Sequence, residues 1–212
     1  EQAQARLAAI GFTDPRGALG HISALTSGVS RRATIQKALL PVLLEWFATG
    51  ADPDNGLLAF RRLSEALGES HWYLRMLRDS SGAAERMTQV LSTSKLATGL
   101  FERHPEAAAW FEDPNDLKAL SLEDLRLEMG SIVERHDETE KAANSIRGIR
   151  RRETLRLAMG AVLGVLNIDE ISQGLSDITE SYLLALKDLI DDGTIDLGII
   201  AMGRFGGAEL GF

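Results

Sequence analysis

The feature that most constrains this chain is a helical spacing of apolar residues that continues from its start to about residue 192. Leu57, Phe60 and Leu63, for example, recur at every third position, which is the spacing of one helix face. Similar short segments follow one another, and no internal repeat or low-complexity tract separates them. The pattern predicts a mainly α protein built as a multi-helix array or bundle.

Length, charge and cysteine content exclude several classes of protein. The chain has 212 residues, 44% of them hydrophobic, which is enough for one substantial core or two modest ones. Its net charge of −8 disfavours nucleic acid as a partner, because non-specific affinity for nucleic acid comes mainly from Lys and Arg. The absence of cysteine excludes disulfides and thiolate metal sites.

The ends of the chain and its apolar runs predict where the protein works. No apolar run approaches the roughly 18 residues of a membrane span, and no basic-then-apolar leader opens the chain. We therefore expect a cytoplasmic protein without a membrane segment. The absence of an initiator methionine and the abrupt last residue favour a piece of a longer polypeptide.

Local signals predict where individual helices begin. Asp14 followed by Pro15 is a cap followed by a first-turn proline, and Ser121 with Asp124 resembles a capping box. Ser176 is expected to cap the helix that leads towards residue 192. Pro41 either kinks the helix around it or separates two shorter ones.

The period changes near residue 193. The run 195–202 is short, branched and apolar, and glycines at 193 and 203 bound it, which is typical of a buried strand. A glycine-rich stretch, GRFGGAELGF, follows at 203–212. The fold expected is thus a helical array that leads into a first strand and a glycine-rich turn.

Two familiar phosphate-binding motifs do not match this glycine-rich stretch. Counted from Gly203, the dinucleotide fingerprint fails because Phe205 occupies its second glycine position. The P-loop fails because Phe212 stands where its lysine belongs. A strand followed by paired glycines can still bring backbone amides close to an anion, and a purely structural turn is the alternative.

The stretch GRFGGAELGF resembles the nucleotidyltransferase signature of the bacterial glutamine synthetase adenylyltransferase and adenylyl-removing family. The segments LFERHPEAAAWF, RRRETLRLAMGAVLG and LSDITESYLLAL are similar to the helical region before that signature. The resemblance therefore covers most of the chain, and the final residues look more like the second, adenylylating half of the family. The positions that match the motif are Gly203, Arg204, Gly206, Gly207 and Glu209.

The resemblance implies a polymerase-β-like nucleotidyltransferase fold that uses ATP and Mg²⁺ to transfer AMP to a tyrosine of glutamine synthetase. It implies glutamine synthetase as a partner, together with a PII-type nitrogen-signalling protein. The expected division is a helical region at 1–133, a charged helix and its followers at 134–192, and the start of the nucleotidyltransferase core at 193–212. The family's metal-binding aspartates would follow Phe212, so no catalytic or metal-binding residue is expected within this chain.

A cluster of arginines adds a second candidate for nucleotide contact. If the helix around it is continuous, Arg151 and Arg152 lie on or beside the apolar face that carries Leu155 and Met159. Triphosphate is a suitable partner there, because guanidinium pairs with phosphate in bidentate geometry. The alternative is ion pairing with carboxylates of neighbouring helices, such as Asp191 and Asp192. The cluster consists of Arg147, Arg150, Arg151, Arg152 and Arg156.

The remaining candidates point to packing and docking. The four histidines, at 21, 71, 104 and 136, lack the close spacing of a helical zinc site. A second function class also stays open, in which the helical array is a protein-interaction module that docks glutamine synthetase or a nitrogen-signalling regulator without catalysis of its own. Nucleotide binding that depends on the arginines would separate the first class from the second.

Overall fold

The computed structural model describes residues 1–68, 70–135, 138–194 and 196–212, and these residues are helical with irregular connections. The prediction of a mainly α, multi-helix array is confirmed. By their contacts the residues form two compact units, Glu1–Asp116 and Leu117–Phe212. No helix of the described ranges has the length and apolar character to cross a bilayer.

The described residues of the first unit form seven α-helices and a 3₁₀ helix at Pro105–Phe111, and a further 3₁₀ helix, Pro114–Leu117, lies where this unit ends. The α-helices in chain order are α1 (Gln2–Ala9), α2 (Pro15–Thr26), α3 (Arg31–Ala48), α4 (Pro53–Leu67), α5 (His71–Asp79), α6 (Ser81–Thr93) and α7 (Lys95–Phe101).

Side-chain caps begin several of these helices where the sequence indicates. The Asp14 carboxylate accepts a hydrogen bond from the Gly17 amide at 2.9 Å, and Pro15 follows it at the first helical position. α3 runs without interruption through Pro41, so this proline does not divide it into two helices. Each cap satisfies an N–H that has no partner inside its helix.

Close backbone packing holds the centre of the first unit together. Gly56 of α4 lies against α3 and α6, where an added Cβ atom would stand 2.7 Å from Cδ1 of Phe47 and 3.0 Å from Cα of Ser92. Phe47 and Phe60 are fully buried, with ring centroids 6.1 Å apart. Only glycine fits at position 56, because a Cβ atom there would displace backbone as well as side-chain atoms.

The second unit contains α8 (Leu122–Arg135), α9 (Thr139–Val162), α10 (Ile168–Ile190) and the single turn α11 (Gly203–Gly206). One apolar cluster joins α8, α9 and α10 and is formed by Leu125, Leu157, Leu166, Ile171, Leu175 and Ile178. A second cluster further along the same helices is formed by Met129, Ile146, Ile149 and Ala185.

The predicted start of α10 is wrong, whereas that of α8 is confirmed. The Asp124 amide donates to the Ser121 hydroxyl at 3.1 Å. α10 begins instead at Ile168, and its N-cap Asn167 forms a capping box with Glu170. Ser176 lies buried inside the helix. The Ser176 hydroxyl donates to the Ser172 carbonyl at 2.8 Å. It therefore makes its hydrogen bond to the preceding turn of the same helix.

The predicted strand over 195–202 is not confirmed. Ile195 lies outside the described residues, and 196–202 form no strand with any part of the chain that the structure describes. The physical reason is that a strand is defined by hydrogen bonds to a neighbouring strand, and a lone segment cannot form a sheet. The functional division at 133 and 192 stays a prediction.

The packing of the first unit predicts that replacing glycine by alanine lowers the free energy of unfolding at one helical position and raises it at another. Gly56→Ala should lower the free energy of unfolding by about 1–3 kcal/mol, because the added methyl group overlaps its neighbours. Gly20→Ala in α2 should raise it by about 0.5–1 kcal/mol, because a Cβ atom there meets nothing within 4 Å and alanine favours the helix. Urea unfolding followed by circular dichroism measures both; equal effects would contradict the close packing at Gly56.

Candidate functional site

The glycine-rich end of the chain folds into one helical turn followed by a tight turn. α11 covers Gly203–Gly206, and Gly203 has a φ of +58°, a conformation that favours glycine. Ala208 also has a positive φ, of 54°, and closes the turn. Leu210 packs against the apolar cluster of α8, α9 and α10, which anchors this end of the chain to the second unit.

The backbone amides of the turn are divided between bonded and free donors. The amides of Gly206 and Gly207 donate to the carbonyls of Met202 at 3.3 Å and Gly203 at 3.0 Å. Those of Gly203, Arg204 and Phe205 make no hydrogen bond with the described residues. The paired glycines therefore do not offer free N–H groups themselves, and the free donors are those of the preceding helical turn.

Gly206 and Gly207 also differ in the space around them. A Cβ atom at Gly206 would stand 2.8 Å from the carbonyl oxygen of Ala201, whereas one at Gly207 would have no neighbour nearer than 3.6 Å. Gly206 is therefore required by the turn itself. Nothing in the described chain requires glycine at position 207, which leaves its small size available for close approach of a ligand.

Arg204 folds back over the turn rather than pointing freely into solvent. Its Nε donates to the carbonyl of Glu209 at 3.2 Å, and the Glu209 amide donates to the Arg204 carbonyl at 2.7 Å. The side chains of Arg204 and Glu209 are both exposed. This compact loop therefore carries one positive and one negative charge.

The segment before the turn exposes its apolar side chains. Leu197 and Ile199 are each 47% exposed, and Ile200 and Met202 are 85% and 80% exposed. A buried strand was expected here. Exposed branched side chains of this kind are the ones that a neighbouring strand or layer would cover.

The arginine cluster is divided into two groups by the fold of α9. Arg152 bonds Glu128 of α8 at 2.7 Å and Glu153 at 2.6 Å, and Arg156 bonds Glu153 at 2.6 Å. Glu153 is 1% exposed. Burial opposes the charge on Arg152, but its hydrogen bonds to Glu128 and Glu153 outweigh burial and raise its pKa above the usual range.

The other three arginines lie on a different face of α9 and contact no carboxylate that the structure describes. Arg147 donates to the Asn144 side chain at 2.6 Å, and Arg150 lies 4.9 Å from the centre of the Tyr182 ring. Arg151 is half-buried and makes no hydrogen bond or ion pair within the described ranges. Arg151 is therefore the member of the cluster for which the structure describes no polar or ring partner.

The structure does not join the two sets of predicted site residues. No hydrogen bond or ion pair links Arg151 or Arg152 to Gly203, Arg204, Gly206 or Gly207 among the described residues. Asp191 and Asp192 do not pair with the arginines there either; their carboxylates accept from the amides of Gly193 and Thr194 at 3.0 Å each. The Gly193 amide lowers the pKa of Asp191, and the Thr194 hydroxyl, followed by the Thr194 amide, lowers that of Asp192.

Metal-ligating side chains are not gathered in any part of the chain that the structure describes. No group of three or more His, Asp or Glu side chains there is suitable for a metal ion. His21 Nδ1 lies 3.1 Å from Nη1 of Arg61, and His104 lies 3.4 Å from Glu106. His136 lies outside the described residues.

The residue that sequence reasoning missed is Glu153. It is the only acidic residue between Arg147 and Arg156, and it stands one position after Arg152 and three before Arg156. Pairs at three- and four-residue spacing meet on a helix surface. That spacing could have identified Glu153 as their shared partner, whereas the contact with Glu128 required knowledge of how α8 packs.

A comparison with protein families decides the affiliation of the chain. The model of the glutamate-ammonia ligase adenylyltransferase family matches residues 84–212, which include α9, α10 and the whole glycine-rich turn. The chain belongs to this adenylyltransferase family. The resemblance seen in the sequence motifs is thereby confirmed.

Curated proteins of the adenylyltransferase family resemble the chain over its whole length. It is 58% identical to the bifunctional glutamine synthetase adenylyltransferase/adenylyl-removing enzyme of Leifsonia xyli subsp. xyli, 46% to that of Cutibacterium acnes and 39% to that of Mycobacterium tuberculosis strain H37Rv. Each alignment covers 100% of this chain and 22% of the relative. The chain therefore spans about a fifth of the length of these relatives.

The ion network of this adenylyltransferase-family chain predicts a large loss of stability on removal of one charge. Glu153→Gln should lower the free energy of unfolding by about 3–5 kcal/mol, because it leaves two partly buried arginines without their shared carboxylate. Glu128→Gln, at the more exposed end of the network, should cost only about 0–1 kcal/mol. Thermal and urea unfolding of both variants measure the difference, and equal losses would show that Glu153 is not the centre of the network.

Proposed function

We propose that this chain is part of an enzyme that transfers AMP from ATP to a tyrosine of glutamine synthetase, within a bifunctional protein whose other half removes it. The observation that carries the proposal is the family match over 84–212, which runs through the glycine-rich turn. In this proposal the helices lead into a nucleotidyltransferase core, and the exposed run before Gly203 is the first strand of its sheet.

The proposed nucleotide contacts are the glycine-rich turn and the arginines of α9. Gly203, Arg204, Gly206 and Gly207 would lie at the triphosphate, where the free amides of the helical turn donate and the small residue at 207 permits close approach. The geometry suits an anion, because a helical turn directs unbonded N–H groups outwards. Arg151 and Arg152 are the proposed arginines, and a phosphate at Arg152 would have to compete with Glu128.

Mg²⁺ does not fit any cluster of side chains among the described residues. We therefore propose that its ligands belong to parts of the enzyme other than this chain, and that the 212 residues alone transfer no AMP. Hard cations such as Mg²⁺ require carboxylate oxygens, which the turn does not collect.

The partners and the compartment belong to the same proposal. Glutamine synthetase is the protein that the relatives act on according to their names, and we propose it as the partner here, with a PII-type protein as regulator, in the cytoplasm. A second role, docking of these proteins without catalysis, is favoured by the first unit, because Glu1–Asp116 forms a compact helical unit that does not include the glycine-rich turn.

Two substitutions in the turn test the proposal in the full-length enzyme. Gly207→Ala should reduce AMP transfer to glutamine synthetase by at least about tenfold, because the methyl group would occupy the side from which phosphate approaches, and should leave stability unchanged. Gly206→Ala should reduce both transfer and local order, because its methyl group meets the Ala201 carbonyl. Incorporation of labelled AMP in the presence of Mg²⁺ is the measurement.

The outcome for Gly207→Ala distinguishes a nucleotide turn from a structural one. Full activity of that variant would contradict the nucleotide role of the turn. Detectable Mg²⁺-dependent transfer by the 212-residue chain would contradict the proposal that its catalytic centre is completed elsewhere.

The arginines of α9 provide a separate test in the same enzyme. Arg151→Ala should raise the KM for ATP or lower turnover by about tenfold through loss of a charge-assisted contact, without a change in thermal stability. Arg147→Ala, one turn earlier on the same helix, is the matched control and should change neither. A loss of stability without a change in ATP kinetics for Arg151→Ala would identify it as a structural residue.

A further inference from the structure

A cleft in the first unit lies between α4 and α7, and its lining includes none of the proposed nucleotide contacts. Its volume is about 310 Å³, which is at the lower limit of pockets that hold small molecules, roughly 300–1,000 Å³. The lining residues follow one face of each helix. They include Leu58, Arg62 and Leu63 of α4, Lys95 and Phe101 of α7, and Glu102 directly after α7.

Small residues keep the cleft open over an apolar floor. Leu63 and Phe101 are 4% and 3% exposed and form this floor. Ala59 and Ala66 on one side and Gly99 on the other contribute little side-chain volume. A Cβ atom at Gly99 would meet nothing within 4 Å, so the space above it is empty of protein.

The polar side chains of the cleft are mostly engaged with the protein. Asn55 Nδ2 donates to the Leu91 carbonyl at 3.4 Å, and the Thr98 hydroxyl donates to the Lys95 carbonyl at 2.9 Å. These two polar groups therefore already have hydrogen-bond partners within the protein. The donors that remain available belong to the two cations.

Arg62 and Lys95 place positive charge at the two ends of the cleft. Nη1 of Arg62 contacts Glu102, while no described residue accepts from its Nε or Nη2. Lys95 lies 3.2 Å from Asp52, with its side chain 78% exposed. Exposed ion pairs of this kind contribute little stability, so a ligand anion can compete for either cation. Two cations and one carboxylate line the cleft.

We propose that this cleft binds a small organic anion with an apolar body. The apolar body lies on Leu63 and Phe101, and its carboxylate is held by the free Nε and Nη2 edge of Arg62, a geometry in which guanidinium binds carboxylates in bidentate fashion. Lys95 contributes positive charge from the opposite end. The proposal does not depend on the glycine-rich turn or on the proposed transfer of AMP.

The test uses 4-phenylbutyrate as the probe and its neutral amide as the matched ligand. Saturation-transfer NMR and calorimetry on the 212-residue chain should show a dissociation constant of millimolar order for the acid, as expected for a ligand of this size. The amide should bind about tenfold more weakly, because it lacks the charge that Arg62 pairs with. Arg62→Gln should weaken binding of the acid by the same factor, and Lys95→Gln by less.

A cleft-filling variant locates the site independently of charge. Gly99→Leu should abolish binding without loss of thermal stability, since its side chain grows into open space and leucine favours the helix more than glycine does. Gly20→Leu, at another helical glycine with nothing within 4 Å of its Cβ, is the control and should bind as the unmodified chain does. The proposal is overturned if Gly99→Leu retains binding, if acid and amide bind equally, or if Arg62→Gln has no effect.

Discussion

Burial of the Glu153 carboxylate is the constraint around which the second unit is organised. A carboxylate that is 1% exposed requires compensating charge, because an unpaired buried ion is strongly unfavourable. Arg152 and Arg156 supply it, and Arg152 extends the network to Glu128. The apolar contacts of Leu125 and Leu157 lie one turn away. The network and the core therefore fix the same approach of α8 to α9.

This arrangement gives the arginines of the cluster different surroundings. Arg152 and Arg156 are required by Glu153, so their replacement would disturb folding. Arg151 has no described partner and is the more informative position at which to examine nucleotide contact. The glycine-rich turn shows a similar division, because Gly206 is required by the Ala201 carbonyl while Gly207 is not. In both places one residue maintains the fold and its neighbour is available to a ligand.

The first unit depends on small residues in two opposite ways. At Gly56 the absence of a side chain allows α4 to approach α3 and α6 closely, so the three helices pack tightly there. At Gly99 a missing side chain lies against nothing, which creates the cleft between α4 and α7. The same residue type thus produces tight packing or a cavity according to where the neighbouring helix lies.

The sequence by itself determined the helical class, the caps at Asp14 and Ser121 and the family, because these depend on local spacing and on short motifs. It misplaced the start of α10 at Ser176, since a serine hydroxyl inside a helix can bond its own backbone as readily as it caps. The segment before Gly203 has the composition of a strand but no strand partner in the described chain. Only the tertiary structure decided which arginines are paired, because Glu128 reaches Arg152 through helix packing across 24 residues of sequence; no local pattern encodes a contact between residues so far apart.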